Sequence, residues 1–434
     1  MYNTPIKLKN KKGSTLMLSL VVIVALLMYA AAFISIGINQ SLLVDIFKRR
    51  TAAFNIAEAG LDHAIVWLRS QSSPPIGDRT NPWGSVESLG GGTYSVVIAD
   101  LGMVGASTGI RRYKVTSTGI FGNARRILAN YVQVDNYARY LWFTDREVFD
   151  GSNVWFNTND TLNGPTHTNG HFNIAGDPVF QSEVRSVDDY LRYYNNGNNI
   201  NSTQLTNAPY DEPTFEEGVG FGAETINMPS QALSLRSAAA SGGIYLQGNS
   251  RVVLNSNGTM NVTNSKKKWN NKNMSIPANG ALFVSGGNLT ISGTLNGRLT
   301  VGASADVVIP NSIVYADNPR VNPASDDTMG IISESDIVVD DSAPSNMEID
   351  ACAMALNTSF MMENYWVGPA KGTLTVYGGI IQDERGPVGT FNGSTGQKVS
   401  GYSKNYSYDS RLLSSPPPFM PTTGDYITLS WEED

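Results

Sequence analysis

The chain has 434 residues, enough for two or three structural units and a sizeable core. Only 16% of the residues are charged, against about 25% in an average soluble domain, whereas 42 are glycine and much of the remaining polar content is Asn, Ser and Thr. A net charge of −7 argues against nucleic acid as a partner, the single cysteine (Cys352) excludes an intramolecular disulfide, and three histidines leave little for acid–base or metal chemistry. Composition points to a turn-rich β protein and away from an enzyme.

Residues 1–13 carry Lys7, Lys9, Lys11 and Lys12 and no acid, and from Gly13 to Val44 no residue is charged. Within that stretch 16–38 is almost wholly apolar. As a helix it would be about 34 Å long, enough to cross a hydrocarbon core of ~30 Å. The lysines crowd the leading flank, so the positive-inside rule puts the start in the cytoplasm and the bulk of the chain outside, with Lys48, Arg49 and Arg50 as a modest counterweight. Three readings fit the segment. One is a cleaved secretory signal, for which Ala30-Ala31-Ala32 is a possible site although the apolar run continues past it. The second is a plain signal anchor. The third is a short basic leader that ends at Gly13, directly against the apolar run.

No proline lies between Pro5 and Pro74, so nothing breaks a helix there. Leu43, Ile46, Phe47, Phe54, Ala57, Leu61, Ala64, Ile65 and Leu68 recur at three- and four-residue spacing, which predicts one apolar stripe. Asp45 and Arg49 form an i,i+4 pair on the opposite face. One long helix over 14–70 is expected, membrane-embedded in its first half and amphipathic in its second.

A Ser/Pro/Gly/Asn-rich joint leads into three strand-like runs, 93–100, 111–118 and 125–134. Val96 and Ile98, Tyr113 and Val115, Ile127 and Ala129 alternate with polar residues there. Residues 71–137 are thus expected to form a small three-stranded antiparallel sheet against the helix stripe.

From 138 to 434 the texture is short apolar pulses between Gly, Asn, Asp and Ser, with runs starting only about 7–10 residues apart over 281–310. That pitch favours an irregular β-helix-like solenoid and leaves a β-sandwich open. Short helices are expected at 182–194 and 230–240. The fold class expected is therefore α+β, mostly β.

Candidate chemistry is thin. His167 and His171 are four apart but flank Asn-Gly in a turn-rich segment, where backbone-satisfied histidines are expected. Asp326-Asp327 and Asp340-Asp341 fit no D-x-[DN]-x-[DN]-G loop and read as solvated turns. No G-x-S-x-G elbow anchors a hydrolase triad, and the glycine runs lack the Lys-Ser/Thr of a phosphate loop. Lys266-Lys267-Lys268-Trp269 is the compact basic patch, expected in a solvated loop. Cys352 reads as a buried small hydrophobe. No catalytic, cofactor-binding or metal residue is expected, and no cofactor.

The junction Lys11-Lys12-Gly13-Ser14 resembles the leader of type IV prepilins and pseudopilins. The resemblance implies cleavage by a prepilin peptidase between Gly13 and Ser14. The segment Ala53-Phe54-Asn55-Ile56-Ala57-Glu58-Ala59-Gly60-Leu61 resembles the A-x-x-x-A-E-A-G-L stretch of PilX-type pilus-assembly proteins. Gly164-Pro165-Thr166-His167-Thr168-Asn169-Gly170 and the tail around Gly378-Gly379-Ile380 and Pro416-Pro417-Pro418 are similar to elements of large members of that group. Major pilins carry a glutamate fifth after the cut, where it can neutralise a neighbour's amino group; here Leu18 occupies that position. The resemblance then implies a non-enzymatic minor pilin-like subunit, with Leu16, Leu18, Glu58 and Gly60 as membrane and assembly positions. Its partners would be other pilins and minor pilins, the peptidase, and the inner membrane before assembly into a surface filament. A single-pass, membrane-anchored, adhesin-like surface protein that never polymerises is the alternative, and a lyase or hydrolase on a β-helix groove is a third.

Overall fold

A computed structural model describes residues 12–71, 73–104, 110–206, 210–392 and 395–433, with side chains from residue 15 onward. The leader through Lys11, and the side chains of Lys12 and Ser14, lie outside the described residues. The chain divides into two compact units. The first comprises Met1–Asp100, Tyr113–Val132 and Thr428–Asp434; the second comprises Leu101–Arg112 and Gln133–Ile427.

In the first unit α1 (Lys12–Arg69) is one unbroken helix of 58 residues. Its far half packs on a sheet of β1 (Arg79–Thr80), β2 (Glu87–Leu89), β3 (Gly92–Met103), β4 (Arg111–Phe121) and β5 (Ala124–Asn136). The order is β1-β3-β4-β5, with β2 also on β3, and the strand Thr422–Glu433 completes the far side against β5. Six strands therefore stand where three were expected, and the last comes from the far end of the sequence. The core is Ala53, Ile56, Ala57, Leu61, Ala64 and Leu68 of α1 against Val96, Ile98, Tyr113, Val115, Leu128 and Val132. In β5 Leu128 and Ala129 are buried, whereas Ile127 is only partly so.

Helix and sheet touch almost backbone to backbone. A Cβ on Gly119 would fall on the Ala53 carbonyl oxygen and 2.5 Å from the Ala57 nitrogen, and one on Gly60 would collide with Ser117 Oγ and approach the Tyr94 ring to 2.9 Å. Only glycine fits where the small residues of the stripe bring the two elements together.

The second unit is a solenoid of parallel ladders. The first ladder stacks Ile244–Gln247, Ala281–Ser285, Arg298–Ala303 and Thr328–Ser333 upon one another, and then the second halves of Met347–Ala355 and Ala370–Glu384. It does not end there. Ile380 pairs with Trp142 of β6 (Trp142–Arg146), and the ladder runs on through Thr166–Thr168 and Val184–Ser186 to Val219–Phe221. Spatial order and sequence order thus differ: the chain enters at mid-stack and builds coils outward to residue 221. It then returns to the opposite end at 244 and coils back until it meets its own entry point.

The return is made by residues 222–243, including helix α2 (Leu233–Ala240), along the outside of this ladder. Leu282, Ile331, Ala351, Ala353, Ile380 and Trp142 point into the solenoid core. Their sequence neighbours Phe283, Ile332, Cys352, Met354, Ile381 and Phe143 point outward into a second apolar cluster, which Ala232, Leu235 and Ala239 of the return segment share with Tyr137, Leu412 and Met420. Both sides are apolar, so these strands read as continuous hydrophobic runs. The strands Val307–Ile309, Ile337–Val339 and Phe360–Met362 of another face instead leave their middle residue half-exposed.

The segment 230–240 contains the expected helix. The helix expected at 182–194 is absent: Val184–Ser186 and Leu191–Tyr193 are strands, because each pairs with the coil beside it. Residues 259–275 form an antiparallel hairpin on the outermost coil, with Lys266–Lys268 at its turn. Polar strands at that position block edge-to-edge association.

Candidate functional site

The described half of α1 from Leu16 to Phe47 is apolar and uncovered: Leu16 is 76% exposed, Leu18 65% and Phe47 62%. By length and composition the helix can cross a membrane. Ser19 satisfies its own hydroxyl by donating to the Leu16 carbonyl at 2.8 Å, which suits an apolar surrounding. Asp45 and Arg49 pair at 2.8 Å where the apolar run ends. Gly13 and Ser14 fall in the first turn of α1. Glu58 is exposed and Gly60 is buried at the sheet, so the two neighbours in the A-E-A-G-L stretch face opposite ways. His63, one turn on, shares a 2.8 Å hydrogen bond with Tyr94 and stacks on Trp83 at 3.8 Å.

In the second unit two cations are locked into structure. Arg385 is fully buried, bonded to Glu147 at 2.9 Å and donating to the carbonyls of Val154 (3.1 Å) and Trp155 (3.0 Å), with its guanidinium 3.5 Å from the centre of the Phe156 ring. Lys404 bonds Asp160 at 2.6 Å, and burial pulls its amine below the usual lysine range. Both pairs join residues of the 142–221 coils to residues of the later coils.

The two histidines differ from expectation. His167 lies in strand Thr166–Thr168, not a turn, and stacks on Phe143 with its Nε2 3.1 Å from Asn169 Oδ1. Burial lowers its pKa, so the ring is neutral. His171 is 2.8 Å from Asp188. In each ring one nitrogen is partnered by a side chain, where backbone was expected, and the buried Nδ1 of His167 has no partner among the described residues. Cys352 is buried in the outer apolar cluster, and burial pushes its thiol far up, which removes it as a nucleophile.

One acidic group gains a member that sequence reasoning missed: Asp340, Asp341 and Glu363 each place a carboxylate oxygen within 4.8 Å of the others. The ladder that pairs Ile337–Val339 with Phe360–Met362 brings Glu363 there, and no local spacing signals it. The Asn364 amide donates to Asp341 at 3.1 Å.

A model described as "Domain of unknown function (DUF4900)" matches residues 109–188, well short of half the chain. Among curated proteins none matches. Among solved structures, the crystal structure of the competence-associated pilin ComZ from Thermus thermophilus matches 89% of this chain and 97% of its own, at 11% identity and a TM-score of 0.36.

Proposed function

We propose that the chain is a non-enzymatic, minor pilin-like subunit of a type IV filament or a related secretion machine. The observation that carries this reading is the division of α1. One uninterrupted helix is apolar and uncovered over its first half, then seated by an Ala/Gly stripe on a small sheet over its second. The first half can lie in a membrane and later among like helices, packing through small residues such as Ala30, Ala31, Ala32 and Gly37. The Lys-Lys-Gly-Ser junction adds a place for the peptidase to cut. Leu18 cannot supply the charge pairing by which a major pilin recruits its neighbour, and the large solenoid is too bulky to repeat at every position of a tight filament. Both favour a rare subunit at the tip or start.

Amino-terminal mass spectrometry of the mature protein tests this. A chain beginning at Ser14, lost in Gly13→Arg and present in filaments at low abundance, is the expected result. A chain beginning at Met1 and confined to the inner membrane would mean an anchored surface protein, and one beginning after Ala32 a secreted protein.

A further inference from the structure

At the seam where the first coils meet the last ones, the solenoid carries a cleft of about 330 Å³. That volume lies within the ~300–1,000 Å³ usual for small-molecule sites. Its walls are aromatic: Phe149, Trp155, Tyr194, Tyr365 and Phe391. Trp155 meets Tyr194 edge-on at 5.4 Å, Phe149 meets Tyr365 edge-on at 5.9 Å, and Trp366 stands beside Tyr365, 60% exposed. Such a density of partly uncovered aromatic faces is not needed by a core that is already closed.

Their polar ends are free. The indole nitrogen of Trp155 and the hydroxyls of Tyr194 and Tyr365 donate to no group among the described residues. Elsewhere in the same unit tyrosine hydroxyls are engaged: Tyr193 donates to Gln204, Tyr402 to Pro344 and Tyr137 to Asn227. Amides of Asn153 and Asn157 and the hydroxyl of Ser152 complete the lining. Asn157 and Tyr194 continue into a second, polar hollow of about 220 Å³ that adds Thr158, Asp177, Asn196 and Asp211.

The charge at the cleft is already spent. Lys404 reaches it but is bonded to Asp160, and Arg385 beneath is bonded to Glu147 and to the carbonyls of Val154 and Trp155. Lys404 is the one cation among the described lining residues, so its pairing leaves none there for a phosphate or carboxylate. Arg192 behind Asn153 is turned to the side-chain oxygens of Asn153 (3.3 Å) and Asn201 (3.1 Å). A lipid chain would leave the amides and hydroxyls unpaired. A pyranose ring matches both features, since it has an apolar C–H face for the aromatic planes and a rim of hydroxyls that donate and accept. Arg385 fixes the backbone of 154–155 from below, so the platform is held in place before any ligand arrives.

We infer that this cleft binds a neutral saccharide, with Trp155 and Tyr194 as stacking platforms and the adjoining polar hollow taking a further sugar unit. The inference goes beyond the filament reading and does not depend on it.

The test uses the full chain in an amine-oxide detergent, which carries no sugar headgroup. It is titrated calorimetrically with maltohexaose, cellohexaose, chitohexaose, polygalacturonate and a decaproline peptide. Saturable binding of at least one neutral hexaose is expected, weakened about tenfold or more by Trp155→Ala and about fivefold by Tyr194→Phe, at unchanged melting temperature. Absence of binding to all three neutral sugars, binding of only polygalacturonate or decaproline, or sugar binding that survives Trp155→Ala would each overturn the assignment.

Discussion

The Asp350 side chain, 1% exposed, accepts a hydrogen bond from the Tyr315 amide at 3.1 Å and from Arg320 at 3.0 Å. Two forces oppose each other there. Arg320 favours the carboxylate, but it is itself partly solvated, and burial wins, lifting Asp350 to about 6 from an ordinary 3.8. The folded chain therefore keeps a proton between pH 4 and 6 that the unfolded chain has lost. This contribution to stability is full below about pH 4 and is lost as pH rises towards 6, with a ceiling of about 3 kcal/mol for a shift of that size. Asp350→Asn cannot ionise and keeps a similar shape. Its melting temperature relative to the parent should climb between pH 4 and pH 7; a flat difference would mean that Arg320 dominates instead.

At the scale of elements, the contact between α1 and its sheet depends on two glycines that differ in what surrounds them. A methyl at Gly60 meets two side chains, the Ser117 hydroxyl and the Tyr94 ring, which can give way in part, whereas a methyl at Gly119 meets the helix backbone at Ala53 and Ala57. Gly119→Ala should cost about 1–3 kcal/mol through overpacking, and thermal unfolding followed by circular dichroism should show it falling further than Gly60→Ala. The helix itself is legible in the sequence, because its apolar stripe keeps the 3.6 period and no proline interrupts it. Most solenoid strands are legible too, since apolar pulses such as Ala281–Ser285 and Ile337–Val339 are bounded by turn residues. Val184–Ser186 and Leu191–Tyr193 are not, because Val-Arg-Ser and Leu-Arg-Tyr hold no continuous apolar pulse and their spacing suits a helix pattern as well. The strand Thr422–Glu433 escapes notice for another reason: its neighbour β5 lies in the first third of the sequence. The aromatic cleft is equally hidden, assembled from turns that only stacking brings together.

At the scale of the molecule, the meeting of early and late coils is marked by charge. Glu147 and Arg385 are 238 residues apart in sequence and form a buried pair with no solvent to replace either partner. Buried pairs of this kind add little net stability over a well-packed apolar pair, but removing one partner strands the other. Glu147→Leu should therefore cost about 3–5 kcal/mol, and adding Arg385→Met should recover part of it. A double-mutant cycle on denaturant unfolding measures the coupling. Additive losses would show that the pair does not act as a unit in holding the seam.

The mid-stack entry also sets a timetable. A ribosome delivers Trp142–Arg146 long before Ala370–Glu384, the strand that seals one of its edges. Throughout that interval the early coils hold an unsatisfied row of backbone donors and acceptors, and the closing step joins segments distant in sequence, which is slow. Birth of this protein thus includes a stretch of exposure to wrong pairing that a solenoid wound in plain sequence order would largely avoid, and a holding factor during synthesis or export would have its greatest effect there.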